Sequence, residues 1–392
     1  MPEYKHLIIG GGMTADAAVN GIRSINATDT IGIISSENHP PYNRPPLSKA
    51  LWKGEPLESV WRKTVADNVT LHLSRTAKSI DLRGRTVVDD QGTRYSFEKL
   101  LFATGGRVRV LPYKVDGIIY FRTLDDYRNL KALTEQGQRF AVIGGGFIGS
   151  EIAAALAMNG KSVTMVFPED GIGARVYPPD LSQFLNTYYQ SKGVEVLAKE
   201  SVSDIEKPDR AYRITTASER EIMVDGVVAG LGIEPNVELA RMAGVEVGNG
   251  IIVNENLQTS VPNVYAAGDV ANFQSPLLEK RMRVEHEDNA LVMGETAGKN
   301  MAGGAVPYRH LPFFYSDLFE LGYEAVGELD SRLVTVADWK EEFKEGVVYY
   351  LQNDRVRGVL LWNTWGQVEA ARSLIAQKDR LDARNVKGLL PR

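Results

Sequence analysis

Apolar positions along the chain fall in short unbroken runs, each followed by small residues and then by a stripe at helical spacing. Leu7, Ile8 and Ile9 precede three glycines, and Ala15, Ala17, Ala18, Val19 and Ile22 follow, a pattern that predicts strand, turn and helix. The run "TIGIISSE" predicts a second strand ending at Glu37, 27 residues after Gly10. The pattern returns in "RFAVIGGGFIGSEIAAALAMNGKSVTMVFPE", which predicts a strand over 140–143, a helix striped by Ile152, Ala153, Leu156 and Ala157, a stop at Asn159-Gly160 and a strand over 163–167. "KLLFATGG" and "NVYAAGDVA" each predict a strand ending in a small-residue turn. Beyond residue 310 the alternation predicts strands, with turns at Lys344-Glu345-Gly346 and Asn353-Asp354. Trp362 and Trp365, near a final helix, are expected in the core. Repeated strand-turn-helix units predict an α/β fold with parallel sheets.

The glycine turns carry the first chemistry. Gly10, Gly12 and Ala15 fit G-x-G-x-x-G/A, and Gly144, Gly146 and Gly149 fit it again. Small residues there let the backbone approach a diphosphate, while the helix N-terminus offers unpaired N–H groups and partial positive charge. The alternative is a merely tight structural turn, but strand, turn, helix, strand and acid all follow in order. Glu37 and Glu169, the latter 25 residues after Gly144, are placed to accept hydrogen bonds from ribose hydroxyls. Two such units imply two dinucleotides. A carboxylate at Glu169 repels a 2′-phosphate and so favours NADH over NADPH, and Arg175, six residues on, softens that preference if it reaches the same ribose. Asp269, at a strand end beside glycine, suits a polyol or phosphate, although such a junction is ordinarily structural.

Composition narrows the class. The chain has 392 residues, room for two or three domains, and a formal charge of −5, which does not favour nucleic acid as a partner. The basic C-terminal stretch "QKDRLDARNVKGLLPR" is interrupted by acids and is expected to be a solvated helix end. No apolar run approaches the roughly 20 residues that cross a bilayer, and the early first strand leaves no room for a cleavable leader, so no membrane insertion and a cytoplasmic location are expected. Cysteine is absent, which excludes disulfides and thiolate chemistry. No His and carboxylate cluster has metal-ligand spacing, and no metal is expected.

"YNRPPLSKALW", "GGGFIGSEIA", "LGIEPNVELA", "MRVEHEDNALVMGETAGKNMAGGAVPY", "FFYSDLFELGYEAVGELDS" and "GVLLWNTWGQVEAARSLI" resemble segments of apoptosis-inducing factor and of the bacterial NADH-dependent ferredoxin reductases of aromatic-ring dioxygenase systems. The resemblance runs from about residue 5 to about residue 376. It implies two Rossmann-like dinucleotide-binding domains, one for FAD (1–113 and 241–309) and one for NADH (114–240), with an α+β C-terminal domain over 310–392. It also implies site residues. Gly10, Gly11, Gly12, Met13, Thr14 and Ala15 hold the FAD pyrophosphate, Glu37 the adenosine ribose, and Arg44 and Arg109 the phosphate or ribose region. Asn38, Ala77, Ala103, Thr104 and Gly105 complete the FAD contacts, with Asp269 on the ribityl chain. NADH falls to Gly144, Gly145, Gly146, Phe147, Ile148 and Gly149, with Glu169 and Arg175 at the adenosine end and Gly232 in the loop before Pro235. Glu285, His286 and Glu287 open a helix directed at the flavin and nicotinamide, and Tyr315, Glu324 and Asn363 reach in from the C-terminal domain.

Several of these positions have a second reading. Phe147 is a gate and stacking partner for nicotinamide or a core phenylalanine; His286 is a catalytic neighbour of the flavin or a satisfied surface histidine. Lys49 and Glu151 form an ion pair that puts positive charge near flavin N5, or Glu151 is only a first-turn acid; the resemblance favours the pair. Pro45 and Pro46 stiffen the loop as a strap over FAD, or mark a Pro-rich surface turn. Tyr315 departs from the tryptophan of apoptosis-inducing factor. The expected activity is hydride transfer from NADH to FAD and single-electron release to an acceptor such as a ferredoxin or a quinone, by a monomer or homodimer. Its alternatives are an NADH-gated redox-sensing protein and an NADH:quinone or monodehydroascorbate-type reductase.

Overall fold

The computed structural model describes residues 1–64, 68–377 and 380–391. The chain divides into two compact units: residues 1–43, 58–107 and 234–312 form the first, and 44–57, 108–233 and 313–392 the second. Residues 44–57, expected with the FAD-binding segments around them, pack within the second unit.

The first unit is built on the Glu3–Ile9 strand, which pairs in parallel with Ile31–Ile34 on one side and Arg94–Phe102 on the other. Val69–His72 and Val264–Ala266 extend the parallel run at its two ends. Such a sheet is covered on both faces, and Leu7, Ile8, Ile31, Ile33, Leu100 and Leu101 are accordingly buried. The Met13–Ile25 helix packs against Glu287–Met301 at very close range. A Cβ on Gly298 would lie 2.1 Å from the Ala18 carbonyl oxygen, and one on Gly21 2.1 Å from that of Glu295. The small-residue stripe of the later helix therefore serves helix contact. The second strand stops at Ile34, so Glu37 stands in the loop beyond it, and the later helix begins at Glu287, leaving Glu285 outside and His286 at its N-cap.

The second unit carries a fully parallel five-stranded sheet. Its strands lie in the order Val194–Ala198, Ser162–Phe167, Arg139–Ile143, Gly226–Ala229 and Ile119–Tyr120. The Phe147–Met158 helix follows the central strand. After residue 312 comes a five-stranded antiparallel sheet, from Phe313–Leu318 to Arg355–Trp362, closed by the Val368–Ala376 helix. Asn353 and Asp354 both take positive φ, as a two-residue hairpin turn needs. The preceding turn lies earlier than expected, because Glu345 and Gly346 already belong to the Glu345–Gln352 strand. Trp362 is fully buried as expected, but Trp365 is 52 % exposed: it follows the strand, in the loop before the last helix, with its ring over Gly322. In the C-terminal tail the last long helix ends at Ala376, so the residues expected to form its solvated end lie beyond it, and 378–379 and 392 lie outside the described residues.

Candidate functional site

In the first unit the glycine turn is enforced by neighbouring backbone. Gly10 has φ +113°, and a Cβ there would stand 2.1 Å from the Ala103 carbonyl oxygen; the Gly11 position is blocked by Ser35. Gly12 is different. It is the N-cap of the Met13–Ile25 helix, no side chain caps it, and among the described residues nothing lies within 4 Å of where its Cβ would be. A helix N-terminus with open space and uncapped N–H groups is the geometry that admits a diphosphate. Thr14 and Ala15 are buried behind it, with the Thr14 side chain against Gly268.

The rest of this cradle lies on the loops at the strand ends. Glu37 accepts a hydrogen bond from the Tyr42 hydroxyl at 2.6 Å, which fixes its carboxylate, and Asn38 is exposed, accepting from Ser74. Ala77 opens the strand Ala77–Asp81. Thr104 and Asn236 exchange hydrogen bonds of 2.9 and 2.8 Å, holding the turn that contains Ala103 and Gly105. Asp269 follows Gly268, whose φ is +77°, and its carbonyl accepts from Arg283, which also pairs with Glu285 at 2.6 Å. His286 is half-buried; burial holds its imidazole down at about 4 against the pull of Asp269 and Asp288, so it is neutral at pH 7.

The second unit repeats the cradle. Gly144 has φ +111° and lies against the Gly230 carbonyl, Gly145 against the Phe167 ring, and a Cβ on Gly149 would meet the Gly144 carbonyl oxygen at 2.0 Å. Gly146, the uncapped N-cap of Phe147–Met158, again faces open space among the described residues. Ile148 is 36 % exposed and Phe147 half-buried, its ring 5.3 Å from Phe314. Glu169 lies past the end of the neighbouring strand and pairs with Arg175 at 2.7 Å, so the two residues weighed for the adenosine end are already joined. Gly232 has φ +81°, and its carbonyl accepts from the Arg109 backbone N–H while the Arg109 side chain is exposed.

Also within the second unit, Glu151 is 3 % exposed and lies beyond the first turn of its helix, which rules out the first-turn-acid reading. Its carboxylate accepts from Lys49 at 2.8 Å, from the Ser316 hydroxyl at 2.6 Å and from the Ser48 hydroxyl at 2.6 Å. Lys49 sits between two short 3₁₀ turns that begin at Pro45 and Ala50, with its ammonium 5.2 Å from the centre of the Tyr315 ring. Arg44 donates to the Arg122 carbonyl at 2.8 Å. Glu324 accepts from the Gly366 N–H, while Asn363 accepts from Gly322 and donates to Lys344, so its amide is engaged in the sheet. Ser48 and Ser316 were not singled out from the sequence. The signal that marks Ser48 is its place beside Lys49; Ser316 has none, because it meets Glu151 from 165 residues away.

Residues 4–294 match the family described as Pyridine nucleotide-disulphide oxidoreductase, and 297–340 and 337–377 match the C-terminal domain described as Apoptosis-inducing factor, mitochondrion-associated. The chain is 33% identical to the mitochondrial apoptosis-inducing factor 1 of Dictyostelium discoideum, over 98% of this chain and 80% of that protein. It is also 33% identical to the 5,5'-dehydrodivanillate O-demethylase ferredoxin reductase subunit of a Sphingobium species, over 97% and 95% of the two chains. Among solved structures, the covalent putidaredoxin reductase–putidaredoxin complex superposes with a TM-score of 0.90 at 29% identity, covering 98% of this chain and 95% of that one.

Proposed function

The chain belongs to the pyridine nucleotide-disulphide oxidoreductase family and is an oxidoreductase that uses FAD and NAD(H), and from that premise we propose that its electron acceptor is a small iron–sulfur ferredoxin. The observation that carries this reading is the absence of cysteine: the chain has no disulfide of its own to reduce, so electrons leave it from the flavin. The ferredoxin reductase subunit and the putidaredoxin complex among its relatives support a protein acceptor. FAD, when bound, would supply the redox chemistry, two-electron uptake from NADH and one-electron release.

The protein's own part is binding and electrostatics. In this reading 1–113 with 241–309 bind FAD, 114–240 bind NADH, and 310–392 form the C-terminal domain. The first cradle takes the FAD diphosphate on the uncapped N–H groups after Gly12, with Glu37 on the adenosine ribose. The second takes the NADH diphosphate after Gly146, with Glu169 on its ribose, and Phe147 shields the turn. Lys49 is a fixed cation for the flavin ring, held by Glu151 and kept from swinging by the Pro45-Pro46 turn. His286, neutral at pH 7, stands at the N-cap of the helix that we direct at the flavin, whose first turn carries Glu287 and Asp288. Among the described residues no helix is long and apolar enough to cross a membrane, and we place the chain in the cytoplasm.

The test is anaerobic stopped-flow reduction of the FAD-loaded protein by NADH, followed by mixing with an oxidised two-iron ferredoxin. Rapid stoichiometric ferredoxin reduction is expected. A reduced protein that ignores ferredoxin, persists in air and sediments as a dimer would overturn the acceptor assignment in favour of an NADH-gated sensor, the reading that the apoptosis-inducing-factor domain over 297–377 favours.

A further inference from the structure

The first turn of the first-unit fingerprint helix carries a feature that a phosphate-binding helix should avoid. Asp16 follows Gly12 by four residues, its backbone N–H closing the first turn on the Gly12 carbonyl at 3.3 Å. Its side chain is buried, with only 3 % of the residue exposed. A buried carboxylate within one turn of a diphosphate opposes that ligand by like-charge repulsion in a medium that screens it poorly.

The structure also holds the compensation. Arg62 donates from Nε to one Asp16 oxygen at 2.5 Å, and the Thr64 hydroxyl donates to the other at 2.6 Å. Arg62 is itself fixed: its Nη1 donates to Asn43 at 2.6 Å, and its backbone N–H donates to the Pro41 carbonyl. Around it, Tyr42 and Trp61 form an antiparallel bridge and the Asn43 N–H donates to the Val60 carbonyl. This clasp fastens the chain just before residue 44 and just after residue 57, so the guanidinium is preorganised without depending on a ligand.

We infer that Arg62 is a positioning residue for dinucleotide binding, which cancels the buried charge of Asp16 so that the uncapped turn at Gly12 accepts the FAD diphosphate. The inference rests on the assignment of FAD to the first cradle. It reads the Asp16, Arg62 and Thr64 cluster as an electrostatic gate on affinity, beyond any packing it provides. Asp16 at a helix N-terminal turn stabilises the helix in the ligand-free protein. Arg62 lets the same residue remain when a dianion arrives.

The experiment is titration of flavin-free protein with FAD, followed by quenching of flavin fluorescence, with circular dichroism melting as the check on folding. Arg62→Ala should raise the FAD dissociation constant by about tenfold or more, the effect of one uncompensated charge within about a helical turn. The double variant Asp16→Asn with Arg62→Ala should return it to within about threefold of wild type, although it lacks the same arginine. Arg62→Lys, which keeps the charge, should lie between. A double variant that binds as weakly as Arg62→Ala, or an Arg62→Ala protein with wild-type affinity, overturns the inference while leaving the FAD assignment intact. Wild-type protein that takes up no FAD overturns both. A purely structural Arg62 lowers the melting temperature of single and double variants alike and gives no recovery of affinity.

Discussion

Replacing Glu151 by alanine removes one acceptor from three donors: Lys49 at 2.8 Å and the hydroxyls of Ser48 and Ser316 at 2.6 Å each. The Lys49 side chain, 11 % exposed, is then left without its carboxylate partner. Breaking a buried pair from one side costs about 3–5 kcal/mol, and stranding two hydroxyls adds about 1 kcal/mol each where no water reaches them. Residual access of water to Lys49 pulls the total toward the lower end, giving about 5 kcal/mol. At about 2–4 °C per kcal/mol for a unit of this size, the melting transition should fall by roughly 10–20 °C. Differential scanning calorimetry measures it. The companion variant, Lys49→Met with Glu151→Leu, should recover most of that loss, because exchanging both charges for apolar volume is close to neutral. A fall of under about 3 °C for Glu151→Ala, or a double variant no more stable than the single, would refute the claim that the pair is a dry and mutually dependent unit.

Four further expectations follow from the same geometry. Lys49→Ala should slow flavin reduction by NADH at least about tenfold while leaving flavin content unchanged, and wild-type stopped-flow traces would remove Lys49 from the reaction. Glu169→Ala frees Arg175 from its 2.7 Å pairing, so the kcat/KM preference for NADH over NADPH should drop by about tenfold; an unchanged ratio would take Glu169 off the ribose. Gly146→Ala should fold normally but weaken NADH binding in equilibrium dialysis, whereas Gly149→Ala, whose Cβ would meet the Gly144 carbonyl at 2.0 Å, should lower the melting temperature; equal effects at both sites would contradict the cradle. His6 is fully buried, its Nε2 2.9 Å from Asp29, and burial lowers its affinity for a proton in the folded state. The unfolded chain therefore binds that proton first, so stability present above about pH 6.5 is lost as pH falls below it. Urea midpoints at pH 7.5 and 5.5 should differ less in His6→Gln than in wild type, and an identical pH dependence would discount His6.

What was legible in the sequence is what the chain does locally. Gly10, Gly12 and Ala15, and Gly144, Gly146 and Gly149, could be read because turn, close approach and helix contact are settled within six residues of chain, and the two parallel sheets follow from the strands beside them. The pairing of Lys49 with Glu151 was reached only through resemblance, since 102 residues separate them. Ser316 has no local mark, and nothing in the sequence joins Asp16 to Arg62 and Thr64, which lie 46 and 48 residues on. Trp365 misled because the pattern near the last strand distinguishes apolar from polar but not strand from loop. The placement of 44–57 in the second unit was likewise invisible, as nothing in "RPPLSKALW" says which partner its apolar residues will bury against.

The contact between the Met13–Ile25 and Glu287–Met301 helices also sets a timetable for synthesis. The first of these helices leaves the ribosome roughly 270 residues before its partner, a delay of about 15–55 s at bacterial or slower elongation rates of about 5–20 residues per second. During that interval Ala18 and Gly21 expose a backbone surface shaped for a helix that does not yet exist. The second glycine-turn strands, by contrast, are complete once residue 229 has emerged. Nascent chains truncated near residue 260 should therefore protect the later fingerprint from proteolysis while the earlier one is still cleaved.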